Sequence, residues 1–69
     1  MRYSVICEQG DTGWGAHVPD LPGCVAAGAT RAEVEALIVE AVGAYLGDLR
    51  ESGQPVPAPR SDVGLVDVA

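Results

Sequence analysis

The sequence predicts an α+β domain with the element order βββαβ, in which one long helix packs on one face of a four-stranded mixed sheet. Three observations support this prediction. Two runs rich in β-branched and aromatic residues are joined by a glycine-containing turn near the N-terminus, an unbroken helical periodicity fills the middle, and a β-branched run closes the chain. A helix between strands three and four allows the last strand to run parallel to its neighbour through a right-handed crossover.

The first two strands are predicted to form an antiparallel hairpin. Residues 2–9 contain β-branched and aromatic side chains with partial alternation, and residues 14–18 alternate more cleanly. Residues 10–13, Gly-Asp-Thr-Gly, have the chemistry of a short hairpin loop. Pro19 ends the second strand because proline has no backbone donor for the ladder.

A tight turn and a weaker third strand are predicted next. Pro22 and Gly23 suit the two central positions of a type II turn, because glycine accepts the positive φ that the second of these positions requires. Residues 24–28 are predicted as the third strand. The first three strands therefore form a meander.

One helix is predicted between Thr30 and Gly53. Thr30 and Glu33 have capping-box spacing, in which a hydroxyl and a carboxylate each satisfy an unpaired backbone donor. Gly53, followed by Pro55, ends the helix. Apolar residues recur between these signals with helical spacing: Val34, Leu37, Ile38, Ala41, Val42, Tyr45, Leu46 and Leu49.

The remaining residues are predicted as a connector and a fourth strand. Residues 54–60 contain three prolines and read as an extended connector, and residues 62–69 read as the last strand. Residues 1–69 are predicted to be a single domain, without a C-terminal DNA-binding domain. A chain of this length buries only about 60% of its unfolded surface, so we expect it to gain stability by association with other copies.

The charge balance is strongly acidic. Ten Asp and Glu residues oppose four Arg, which gives a net charge of −6 and a pI near 4.3. Such a surface repels phosphate backbones and attracts basic partners. The alternative is that the acidic charge only keeps a small protein soluble. No apolar stretch is long enough for a membrane span and no secretory signal opens the chain. We expect a cytoplasmic protein that binds neither nucleic acid nor membrane directly.

No residue pattern indicates catalysis or metal binding. Cys7 and Cys24 lie on predicted strands separated by a third, about 9.6 Å apart, which is beyond disulfide reach, and no Cys-x-x-Cys pair or fourth zinc ligand accompanies them. His17 is the only histidine, and its strand neighbours supply neither a carboxylate nor a nucleophile. We expect no enzymatic activity, no cofactor and no metal ion.

The sheet face opposite the helix is expected to be uncovered, because one helix covers only one face. This face includes Ile6 or Val5, and Val25 or Ala26, depending on the register. An uncovered face of mixed polarity is either an ordinary solvated face or a contact surface. The sequence leaves both readings open.

Four segments, together with the predicted helix between the last two of them, form a signature that spans nearly the whole chain. They are residues 3–7, the run Trp-Gly-Ala-His-Val-Pro-Asp-Leu-Pro-Gly-Cys at 14–24, Gly-x-Thr at 28–30, and Gly-Gln-Pro-Val-Pro-x-Pro at 53–59. In these segments the chain resembles the HicB antitoxin family. It departs from that family at Ala29, where Asp is frequent, and at Val34, where Ala is frequent.

The resemblance implies a fold, a partner and a mechanism. The implied fold is a partial ribonuclease-H-like βββαβ fold. The implied partner is a HicA-type toxin, a small basic RNA-cleaving protein, which the acidic chain would neutralise by masking its active surface. We expect partner contacts from the loop after the second strand, from acidic helix residues and from the last strand; the candidates are Asp20, Leu21, Pro22, Gly23, Cys24, Glu33 and Glu40. The alternative is a stand-alone homo-oligomeric module of the same family that has no toxin partner.

Overall fold

The computed structural model describes all residues, 1–69, and has three strands and one helix in the order βββα. The elements are β1, Ile6–Gln9; β2, Trp14–His17; β3, Val25–Gly28; and α1, Arg31–Glu51. The sheet is antiparallel with the spatial order β1-β2-β3, and α1 packs against one face of it. The predicted α+β class, the three-stranded meander and the single long helix are confirmed.

The β1–β2 connection depends on glycine at position 13. The amide of Gly10 donates to the carbonyl of Gly13 over an N···O distance of 2.7 Å, which closes the hairpin loop. A Cβ atom on residue 13 would lie only 2.7 Å from the carbonyl oxygen of Gly28, the last residue of β3. The end of β3 can therefore approach the loop this closely only because residue 13 has no side chain.

The register of the sheet decides which strand residues face the helix. Cys7, Ala16 and Ala26 are aligned across the three strands, and Ala16 is buried beneath α1. Side chains alternate along a strand, so the neighbouring rows point away from the helix. The open face is formed by Ile6, Glu8, Gly15, His17, Val25 and Ala27. Of the alternatives that the sequence left open, Ile6 and Val25 are on this face, whereas Val5 and Ala26 pack against the core.

The helix begins and ends at the predicted signals. The hydroxyl of Thr30 accepts a hydrogen bond of 3.1 Å from the amide of Glu33, which is one half of the predicted capping box. At the other end, Gly53 has a φ of +72°. The amides of Gly53 and Gln54 donate to carbonyls of the last helical turn over 3.2 and 2.9 Å. These two bonds form a Schellman motif, which satisfies carbonyls that the helix leaves unpaired.

The core lies between α1 and the sheet and is small. Seven residues are buried: Ala16, Val18, Leu21, Cys24, Val34, Ile38 and Leu46. None of them is charged, and half-buried aromatic and aliphatic side chains surround them. The helix contributes three of the seven, at positions that belong to the predicted apolar stripe.

The structure contains no fourth strand, so the sheet has three strands and is not mixed. Residues 62–69, predicted as that strand, form no strand and are all exposed. Alternation of apolar residues predicts the ability to form a strand, but a strand also requires backbone hydrogen bonds to a partner edge, and this segment forms none in its own chain. Gly64 further weakens its strand preference.

Candidate partner-binding surface

The loop between β2 and β3 presents an exposed turn on a buried base. The amide of Cys24 donates to the carbonyl of Leu21 over 3.0 Å, and Gly23 has a φ of +81°, as the predicted type II turn requires. Pro22 and Gly23 at the tip are exposed. The side chains of Leu21 and Cys24 point inward, and these residues are 0% and 3% exposed.

This geometry divides the predicted loop contacts into two groups. Only Pro22 and Gly23 are open to a partner while the loop keeps this conformation. Leu21 and Cys24 belong to the core, where burial raises the pKa of the Cys24 thiol and keeps it protonated. Partner contact by this loop stays a prediction, and the exposed turn is the part that can make it.

Asp20, at the base of the loop, binds the C-terminal part of its own chain. Its carboxylate accepts hydrogen bonds from the amides of Arg60 and Ser61, both over 2.8 Å, and from the hydroxyl of Ser61 over 2.7 Å. The Ser61 amide, followed by the Arg60 amide and the Ser61 hydroxyl, lowers the pKa of Asp20. We call this three-bond arrangement the Asp20 clasp. It engages both oxygens of the carboxylate within the chain.

Glu33 and Glu40 both lie on the outer side of α1. They are seven residues apart, so they fall on the same side of the helix about 10 Å from each other. The aliphatic part of Glu33 covers Gly28, where an added Cβ would lie 3.1 Å from its Cγ atom. Both residues are exposed, and neither carboxylate forms an ion pair.

Most of the negative charge is uncompensated within the chain. Arg31 pairs with Glu35 over 2.8 Å and its guanidinium lies 5.9 Å from the centre of the Trp14 ring. His17 Nδ1 lies 3.9 Å from Glu8 Oε1. Seven further carboxylates are exposed and form no ion pair: Asp11, Glu33, Glu40, Asp48, Glu51, Asp62 and Asp67. A basic partner would find these charges already free, because no internal pair has to be broken.

The open sheet face is a second exposed surface. It forms a shallow depression of about 940 Å³, and Gly15 is among the residues that line it. Glu8, His17 and Val25 are also among its lining residues; Val25 lies directly across from His17 in the sheet and is 64% exposed. Thr12 also lines this depression, and none of the side-chain hydrogen bonds of serine, threonine or cysteine involves His17. The exposed face is open to contact with another molecule.

None of the individual contact residues predicted from the sequence lines this depression, although the sequence predicts that the uncovered face is either solvated or a contact surface. The alternation of residues 14–18 carries the relevant signal, because it assigns Gly15 and His17 to one side of β2. The cross-strand partners Glu8 and Ala27 depend on register, which the sequence does not specify uniquely for strands this short.

Comparison with known proteins identifies the family. The family model described as the HicB_like antitoxin of bacterial toxin–antitoxin systems matches residues 3–67. This chain therefore belongs to the HicB-like antitoxin family.

Two relatives support the same assignment. UPF0150 protein Ta0767 of Thermoplasma acidophilum is 33% identical over 63 residues, which cover 90% of this chain and 91% of the relative. Antitoxin HicB 2 of Photorhabdus laumondii is 36% identical over 66 residues, which cover 90% of this chain but 46% of the relative. This chain thus spans about half the length of that antitoxin. No solved structure matches the chain significantly.

Proposed function

We propose that this chain binds and neutralises a small, basic, HicA-type RNA-cleaving toxin by masking the toxin's active surface. Membership of an antitoxin family supports a toxin as the partner. The observation that supports masking by charge is the set of seven exposed carboxylates without ion pairs. A toxin that binds RNA needs a basic surface, and this acidic chain is complementary to it.

The proposed contacts lie on the outer side of α1 and at the tip of the β2–β3 loop. Glu33 and Glu40 would contribute charge, and Pro22 and Gly23 would contribute a rigid, exposed turn. Asp20 would act indirectly, because its carboxylate is already engaged in the Asp20 clasp. The chain would act by occupying a surface and not by catalysis, so we expect no nuclease activity with magnesium or manganese.

We also propose that the chain works in the cytoplasm, where a toxin directed against RNA would act. No helix of the structure has the combination of length and apolar character that crossing a membrane requires. The finer fold assignment, a partial ribonuclease-H-like βββαβ fold, belongs to the same proposal. It requires residues 62–69 to pair with a sheet edge as a fourth strand.

Co-expression with a candidate toxin tests the proposal. The candidate is the product of the adjacent reading frame, provided that it is a basic chain of about the same size with one prominent histidine. We expect this chain to restore growth and to co-purify with the toxin. The complex should weaken as salt rises, because charge pairs at the rim of an interface are screened. Toxicity that persists without any complex would refute the proposed function.

A pair of matched variants tests the proposed surface. Glu33→Gln with Glu40→Gln removes two unpaired charges from the proposed contact surface, and the control Asp11→Asn with Asp48→Asn removes the same charge at exposed, unpaired positions outside the predicted contacts. We expect the helix variant to dissociate from the toxin about tenfold faster or more, and the control to change affinity by less than about threefold. Equal losses would mean that net charge matters and that the helix surface does not.

The alternative is a stand-alone homo-oligomer without a toxin partner. The exposure of four large apolar residues in residues 62–69 favours self-association. Absence of any toxin complex together with a stable oligomer would favour this second function.

A further inference from the structure

The last eight residues, 62–69, which we call the tail, are an unpaired strand-forming segment. Val63, Leu65, Val66 and Val68 are 53%, 95%, 85% and 88% exposed, and they make up half of the eight large apolar residues that the chain exposes. No hydrogen bond between backbone groups engages the tail. Apolar side chains and backbone groups of this kind usually become paired or covered.

The whole chain has more surface than a folded monomer of its size. Its accessible surface is 5119 Å², whereas a folded monomer of 7.1 kDa is expected to have about 4,100 Å². Its radius of gyration is 13.5 Å, against about 11 Å for a compact domain of this length. The excess of about 1,000 Å² is comparable to the roughly 800 Å² that each partner buries in a standard interface.

The start of the tail is fixed beside the strand that forms the sheet edge. Ser61 is held by the Asp20 clasp, and its carbonyl accepts a hydrogen bond of 2.8 Å from the hydroxyl of Ser4. Tyr3 donates in the same way to the carbonyl of Pro57. Residues 3 and 4 lead directly into β1, which pairs with β2 on one side only. The outer edge of β1 is therefore open next to the point where the tail leaves.

An apolar cavity next to this edge is also unfilled. It has a volume of about 200 Å³ and lies between the N-terminal segment and α1. All six residues that line it are apolar or aromatic: Met1, Tyr3, Val5, Ile38, Val39 and Val42. The near-complete exposure of Leu65 and Val66 excludes both from the cavity of their own chain. Each copy thus has a free strand, a free edge and an empty apolar cavity, which are mutually complementary.

We propose that two copies of this chain associate by exchanging tails, each tail adding a fourth strand to the outer edge of β1 (Ile6–Gln9) in the other copy. Apolar tail residues enter the cavity beside that edge. The exchange is reciprocal, so the assembly closes as a symmetric dimer and leaves no tail unpaired. This inference rests on the proposed four-stranded fold and does not depend on a toxin partner.

Salt separates this proposal from the proposed toxin complex. Two copies of net charge −6 repel each other, and added salt screens that repulsion. Dimerisation by apolar tails should therefore strengthen as salt rises, whereas the complex with a basic toxin should weaken. Failure of one proposal leaves the prediction for the other unchanged.

Sedimentation equilibrium over about 1–500 μM, at low and high salt, tests the exchange. We expect a monomer–dimer equilibrium for the full chain. In a mixture of isotope-labelled and unlabelled copies, nuclear Overhauser contacts between labelled and unlabelled molecules should connect residues 63–68 with residues 6–9. A monomer at every concentration, or tail contacts that are only intramolecular, would overturn the proposal.

Serine variants test which surface forms the dimer. Leu65 and Val66 would point to opposite faces of the added strand. The double variant Leu65→Ser with Val66→Ser therefore removes an apolar side chain from the buried face in any register. This variant should dimerise at least about tenfold more weakly, with unchanged circular dichroism. The control Val25→Ser removes an exposed valine from the open sheet face and should change dimerisation by less than about twofold. A dimer that resists the tail variant but is lost in the control would overturn the proposal and assign the interface to the open face.

Discussion

Residues 6–53, which form the sheet and helix and are called the body here, differ from residues 54–69 in burial and not in hydrophobic content. Leu46 in α1 and Leu65 in the tail have the same side chain, yet they are 8% and 95% exposed. Leu46 packs in the core between the helix and the sheet of the same chain, whereas Leu65 is not part of that core and is almost fully exposed. The comparison shows that a hydrophobic pattern identifies side chains that are suited to burial. Whether they are buried depends on the surface that the rest of the chain offers them.

The largest expected effect comes from truncating these two leucines in parallel. Leu46→Ala should lower the free energy of unfolding by about 2–4 kcal/mol, because it removes buried methyl groups and leaves a cavity. Leu65→Ala should change it by less than about 0.5 kcal/mol in dilute solution. Urea denaturation at low micromolar concentration measures both. A comparable loss in the two variants would show that the tail packs against the body.

A second test compares two glycines of the β1–β2 loop. Gly13→Ala should lower the free energy of unfolding by about 2 kcal/mol, because its Cβ would clash with the backbone of Gly28. Gly10→Ala is the control, since a Cβ there would meet its nearest atom at an ordinary 3.7 Å. The control should cost less than about 1 kcal/mol in the same denaturation assay. Equal stabilities of the two variants would contradict the close approach of β3 to the loop.

Replacing a glycine inside the helix and a glycine just beyond its end should change the free energy of unfolding in opposite directions. Gly47→Ala should stabilise the body by about 0.5–1 kcal/mol, because the helix interior favours alanine and a Cβ there meets no atom within 4 Å. Gly53→Ala should destabilise it by about 1 kcal/mol, because residue 53 has a positive φ. Thermal unfolding followed by circular dichroism detects both changes. Stabilisation by Gly53→Ala would contradict the assigned helix end.

The smallest expected effect is local and concerns the Asp20 clasp. The pKa of Asp20 is lowered from its ordinary value of 3.8, so the clasp is at full strength above that pH and is lost as the pH falls through the lowered value. The amide resonances of Arg60 and Ser61 should therefore shift on acidification. Asp20→Asn should abolish that titration, whereas Asp67→Asn should leave it intact. Amide shifts of Arg60 and Ser61 that are the same in Asp20→Asn as in the unaltered chain at every pH would contradict the clasp.

The body could be predicted from the sequence because its signals are local. The cap at Thr30, the apolar stripe and the stop at Gly53 each depend on residues within a few positions, and all were confirmed. The predicted fourth strand is not formed in the single chain because pairing is not local: residues 62–69 have strand character but form no backbone hydrogen bond with the β1 edge beside which they begin. Local propensity contains no information about which segments pair.

The candidate surface was predictable only in part, for the same reason. The exposure of Glu33 and Glu40 follows from helical periodicity, and the exposed turn at Pro22 and Gly23 follows from turn chemistry. The engagement of Asp20 by Arg60 and Ser61 could not be anticipated, because it joins residues about forty positions apart. Its position in the β2–β3 loop predicted a charge available to a partner, whereas its oxygens are used internally.

The Asp20 clasp closes the polypeptide into a ring. The carboxylate joins two points 41 residues apart, and β3 and the entire helix lie within the ring. Closing it restricts the extended connector without adding to the core, so it costs chain entropy that three hydrogen bonds must offset. Opening the ring would free the amides of Arg60 and Ser61 while the hydrophobic layer stays intact, and the hydrogen bonds from Tyr3 and Ser4 would still hold residues 57 and 61. Loosening of this junction should therefore be a motion separate from, and faster than, loss of the fold.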